Sequence, residues 1–75
     1  MREHERVVLT TDLPEHALHA GDVGTIVHRY AEKAAYEVEF VALDGNTVAL
    51  VTVTGEKVRH VRDDELAHAR SITSD

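Results

Sequence analysis

Tyr36-Glu37-Val38-Glu39-Phe40, then Asp44-Gly45-Asn46, then Thr47-Val48-Ala49-Leu50-Val51-Thr52-Val53-Thr54 is the stretch that decides the fold. In the first run apolar and acidic residues alternate strictly. Tyr36, Val38 and Phe40 share one face, Glu37 and Glu39 the other, as in a half-buried antiparallel strand. Asp44-Gly45-Asn46 is a strong hairpin turn signal. The β-branched run after it predicts a second strand, and this one is apolar on both faces. Setting Val48 and Leu50 beside Phe40 in the core leaves Ala49, Val51 and Val53 on the opposite side, together with Val41 and Leu43. A strand apolar on both faces needs cover on both. Ala49, Val51, Val53, Val41 and Leu43 are therefore expected to form an interface. A protein partner or a second copy of the chain would cover it, or else the C-terminal segment would, through Leu66 and Ala69.

Outward from this hairpin the chain reads as further short strands. Glu5–Thr10, Val23–Tyr30 and Lys57–Val61 are β-rich and bounded by turn residues. Gly24, inside the second of these, predicts a bulge or a close backbone approach. The connection from Thr11 to Ala20 is the longest. Pro14 breaks the strand there, Asp12 is a candidate cap for one helical turn over Pro14 to Ala17, and Leu13 and Leu18 are candidate anchors. Its acidic residues Asp12 and Glu15, with Asp22 just beyond, have no basic neighbour in sequence. Asp63-Asp64-Glu65 predicts a short helix through about Ala69, since carboxylates favour a helix N-terminus. Five short strands with tight turns make an all-β, five-stranded open barrel. Residues 1–66 are expected to form a single domain, with 67–75 a polar tail or helix end. The expected core is Val7, Leu9, Leu13, Leu18, Val23, Ile26, Tyr36, Val38, Phe40, Val48, Leu50, Val58 and Val61.

Size and charge narrow the function. The chain has 75 residues, no cysteine, and 14 Asp and Glu against 8 Lys and Arg, for a net charge of −6. A domain this short buries only about 60% of its unfolded surface and commonly leans on a metal, a disulfide or a partner. Without cysteine, disulfides, thiolate zinc sites and thiol nucleophiles are excluded. A cysteine-free small domain fits a reducing cytoplasm. No signal peptide and no membrane span are expected. The negative charge disfavours phosphate backbones; the one basic stretch, Lys57 to Arg62, is followed at once by Asp63, Asp64 and Glu65.

Four blocks carry a resemblance: Val7-Val8-Leu9-Thr10-Thr11-Asp12-Leu13-Pro14-Glu15-His16, Gly21-Asp22-Val23-Gly24-Thr25-Ile26-Val27, Ala35-Tyr36-Glu37-Val38-Glu39-Phe40 and Thr47-Val48-Ala49-Leu50-Val51-Thr52. Together they resemble the domain-of-unknown-function family numbered 4926 (DUF4926) over roughly Arg6 to Val61. The resemblance implies an SH3-like barrel with a long first loop, and it implies no catalytic residues. It also implies small proteins that sometimes stand beside a toxin-like neighbour gene, hence an antitoxin- or immunity-type binding role. The Gly21 to Val27 block is also similar to a strand of translation-associated nucleic-acid modules and of the nitrile hydratase β subunit.

Candidate chemistry is sparse. Among the six histidines, His16 and His19 are three apart and would share one side of a helical turn, with Asp12 or Glu15 as oxygen donors. Spacing supplies no third rigid ligand, so a solvated loop is the expectation and no metal or other cofactor is assigned. Glu37 and Glu39 stand about 7 Å apart along one strand face. A carboxylate pair of that kind does acid–base work only inside a deep cleft, which a domain this small does not easily form; the two read as a polar outer face. The expectation is a non-enzymatic acidic protein-interaction module. The alternatives are a nucleic-acid-binding SH3-like barrel and an accessory β-type domain of a larger enzyme.

Overall fold

The structure, a computed structural model, describes residues 1–72. Its strands are β1 (Arg6–Leu9), β2 (Val23–Tyr30), β3 (Ala35–Val41), β4 (Thr47–Thr54) and β5 (Val58–His60). They form one antiparallel sheet in the order β4-β3-β2-β1-β5. The ends of the sheet do not pair, so the barrel is open between β4 and β5. Helical structure in the described residues is limited to single 3-10 turns at Pro14–His16, Ala31–Lys33 and Gly55–Lys57. The fold is all-β, as the alternation and turn spacing require.

The core is Val7, Leu9, Leu13, Leu18, Ile26, Val38, Phe40, Val51, Val53 and Val58, with Met1, Tyr36 and Ala49 packed against it. Leu13 and Leu18 pin the long first loop to the body: they are buried and exchange backbone hydrogen bonds with each other. Asp12 does not cap the helical turn. Its Oδ1 instead accepts from the Ala20 amide at 2.8 Å, tying the two ends of the loop together. Gly24 is the close approach the sequence announces. A Cβ there would lie 2.6 Å from a Val38 methyl and 2.8 Å from the Phe40 ring. The irregularity in β2 falls elsewhere, between Ile26 and His28.

Four expected core residues are not in the core. Val23, Leu50 and Val61 are exposed and Val48 is only half-buried. For Val48 and Leu50 the cause is a register shift between Phe40 and Val41. Val41 stands opposite Thr47, but Phe40 stands opposite Ala49, so β4 carries one extra residue, Val48. A one-residue slip turns every later side chain to the other face. Ala49, Val51 and Val53 therefore pair with Phe40, Val38 and Tyr36 and point inward, while Leu50 and Thr52 pair with Glu39 and Glu37 and point outward.

The helix expected from Asp63 to about Ala69 is absent. A turn at Asp63–Asp64 is followed by chain without regular secondary structure. Seven residues with no apolar stripe cannot offset the cost of helix nucleation. The segment is held instead by charge. Glu65 takes both guanidinium nitrogens of Arg59, at 3.0 and 2.6 Å, and the Arg62 amide at 2.7 Å. Further on, Arg70 grips both carboxylate oxygens of Asp22 and the Ala17 carbonyl. Asp22, without a basic neighbour in sequence, thus acquires one 48 residues away. Leu66 is 94% exposed and covers no part of the sheet. Of the polar tail or helix end expected at 67–75, residues 73–75 lie outside the described residues.

Candidate protein interface on the outer sheet face

Each strand presents its alternate residues away from the core. On the outer face, Thr25, Glu39 and Leu50 form one row across β2, β3 and β4, and His28, Glu37 and Thr52 form the next. Val23 lies two residues from Thr25, and Val41 two residues from Glu39, toward the same end of the sheet. Leu43 follows in the β3–β4 turn. Val23, Val41 and Leu50 are 50%, 45% and 53% exposed and Leu43 is 97% exposed. The outer face thus exposes several apolar side chains at this end of the sheet, with Glu39 set between the β2 and β4 positions.

Of the interface expected from the sequence, Val41 and Leu43 lie on this surface. Ala49, Val51 and Val53 do not: the bulge at Val48 turns them inward, where Val51 and Val53 are 8% and 5% exposed. Leu50 and Val23 take their place. Strict alternation could not show this, because the signal is one extra residue within a run that is apolar on both faces.

Local geometry fixes the patch. Gly45 adopts φ +93°, which a β-carbon would strain. The Asp44 carboxylate accepts from the Asn46 amide and from its side chain, closing the turn. The Thr47 hydroxyl donates to Glu39 at 2.6 Å, fastening the turn end of β4 to β3.

At the C-terminal clamp, the hydrogen bonds from Arg59 and from the Arg62 amide pull the Glu65 carboxyl down to about 2. Partial burial pushes the Asp22 carboxyl up, but the Arg70 hydrogen bonds and the His19 amide outweigh it and the net shift is downward. These clamps sit on either side of Val8. Val8 pairs with Arg59 on β5 and Val23 on β2, and it is buried although it lies outside the core cluster. The chain from Glu65 to Arg70 therefore bridges from β5 toward the β2 side of the sheet.

His16 ends the first-loop 3-10 turn and is exposed; His19 donates its backbone amide to Asp22. Among the described residues no group of three or more His, Asp or Glu side chains converges to hold a metal ion. A shallow depression of about 300 Å³ lies at the β2–β3 turn, lined by His28 to Lys33. There His28 meets the Tyr30 ring edge-on at 4.4 Å and the Lys33 ammonium lies 5.4 Å from its centroid. No described helix is long and apolar enough to cross a membrane.

No curated protein and no solved structure matches the chain. The profile of one family, the domain of unknown function DUF4926, matches residues 3–60, from the N-terminal segment through the last strand. That span holds the whole sheet, the first loop and the outer apolar patch, and the chain belongs to the DUF4926 family.

Proposed function

We propose that this protein is a non-enzymatic protein-interaction module of antitoxin- or immunity-like kind, acting in the cytoplasm. Its binding surface is the outer patch of Val23, Val41, Leu43 and Leu50. The observation that carries the reading is the exposure of Val41 and Leu50, at 45% and 53%, on the outer face, with Leu43 at 97% in the turn that follows Val41. Exposed large apolar side chains gathered at one end of a sheet face favour an interaction site. Glu39 lies between the β2 and β4 positions, and the chain carries −6 overall. The partner that fits is a protein with an apolar contact ringed by Lys and Arg, as on an enzyme that cleaves nucleic acid.

Nucleic acid itself fits less well. Arg59 and Arg70 are engaged by Glu65 and Asp22, and a net charge of −6 opposes a phosphate backbone.

The test is tagged capture from the native host at endogenous level, wild type against Leu43→Asp and Leu50→Asp. The reading expects one basic protein, the product of a neighbouring gene, to be retained by wild type and lost from both variants while their melting temperatures stay near wild type. Retention by both variants, or capture of no partner, would overturn it.

A further inference from the structure

β4 is an unguarded sheet edge. The Gly55 amide donates to the Ala34 carbonyl, so Ala34 and Gly55 are a hydrogen-bonded pair. Antiparallel pairs alternate between bonded and non-bonded. Tyr36–Val53 and Val38–Val51 are then the bonded pairs, and Glu37–Thr52 and Glu39–Leu50 the non-bonded ones. On β3 the N–H and C=O groups of Glu37 and Glu39 turn to β2. On β4 those of Leu50, Thr52 and Thr54 turn away from the sheet, where no described strand lies.

Edge strands are normally shortened, charged, interrupted by proline or covered. β5, at the other end of the sheet, follows that rule. It has three residues, lies between Lys57 and Arg62, and carries the Arg59–Glu65 clamp. β4 has eight residues and, from Thr47 to Thr54, no charge and no proline. The bulge lies at its start and leaves Ala49 to Thr54 regular.

We infer that β4 pairs antiparallel with β4 of a second copy of this chain about a two-fold axis at Val51. This pairing is independent of the partner proposed above. Leu50 of one copy then exchanges hydrogen bonds with Thr52 of the other, and the reverse, so the free amides answer one another. The symmetry also keeps Leu50 and Thr52 on the outer face and Val51 on the inner face of one continuous sheet. An uncharged strand offers a foreign segment no charge to select on, and meets its own copy without like-charge contact. Along the paired strands the carboxylates that face each other, Glu37 and Glu39 on β3 of each copy, stand three strand spacings apart, about 14 Å, with Asp44 and Glu56 beyond the strand ends. That exceeds the screening length of about 8 Å at physiological salt, so the net charge of −6 does not prevent pairing. The blunt β5 edge stops the assembly at two.

Sedimentation equilibrium of the full chain from about 10 μM to about 1 mM, a range that brackets weak association, tests this. The weight-average mass is expected to rise from 8.3 kDa toward twice that value and stop there. Thr52→Lys, and separately Thr52→Pro, which removes an edge N–H without touching the β3 ladder, should weaken association at least about tenfold. Amide exchange at Leu50 and Thr52 should slow with wild-type concentration. A monomer throughout, an open-ended series of oligomers, or a dimer unaffected by folded Thr52→Lys would overturn the pairing. Loss of association in Thr52→Lys with partner capture intact would separate this result from the function proposed above.

Discussion

Phe40 stands opposite Ala49, not Val48. That single offset decides which half of β4 is core and which is surface. It gives Val51, at 8% exposure, and its neighbour Leu50, at 53%, opposite roles in a strand whose composition treats them alike.

Val51→Glu should therefore unfold the domain or cost about 4 kcal/mol, because it buries a carboxylate without a partner. Leu50→Gln, uncharged opposite Glu39, should stay within about 0.5 kcal/mol of wild type. Urea melts of the two variants check this directly, and the reverse order would restore the unbulged register.

Gly24→Ala should cost about 1–3 kcal/mol through overpacking. The new methyl would sit 2.6 Å from Val38 and 2.8 Å from the Phe40 ring, both in the core. Thermal denaturation would show the loss; a variant as stable as wild type would mean that the β2–β3 contact yields freely.

Phe40→Ala removes the largest core side chain, 3% exposed, and should cost about 3–5 kcal/mol, comparable with the whole stability of a small domain. Loss of a cooperative thermal transition is the expected readout.

Acid should release the C-terminal segment. Glu65 is held down to about 2 by Arg59 and the Arg62 amide. A carboxyl whose folded pKa is depressed adds stability above its unfolded pKa, near 4.5, and loses it as pH falls through the folded value. Carboxyl NMR titration should give a Glu65 midpoint near 2, and Arg59→Gln should move it up toward the ordinary carboxylate range.

Arg70→Ala should free the chain near Asp22. The Asp22 carboxyl, lowered by Arg70, should titrate at higher pH, and amide exchange at Ala17 to Asp22 should quicken. The sheet amides of β2 and β3 should stay protected. An Asp22 titration unchanged in the variant would show that the His19 amide alone holds it down.

The strands, the long first loop and its anchors were legible because each rests on local pattern. Tyr36 to Phe40 alternate, Asp44-Gly45 turns, and Leu13 and Leu18 flank Pro14. The candidate site was legible only in part. Val41 and Leu43 emerged from counting faces outward from Glu37, whereas Leu50 and Val23 did not. Alternation runs blind through β4, where every position from Val48 to Val51 is apolar, and a bulge leaves no mark in such a run.

Sequence by itself determined that this is a small all-β domain, acidic and cysteine-free, with its chain order of strands and its turns, since those follow from side-chain period and turn chemistry over a few residues. Only the tertiary structure decided the phase of β4, the pairing of Asp22 with Arg70 and the exposed edge of the sheet. Each of these depends on where backbone groups meet across the fold, and hydrogen-bond register and long-range charge pairing have no period along the chain.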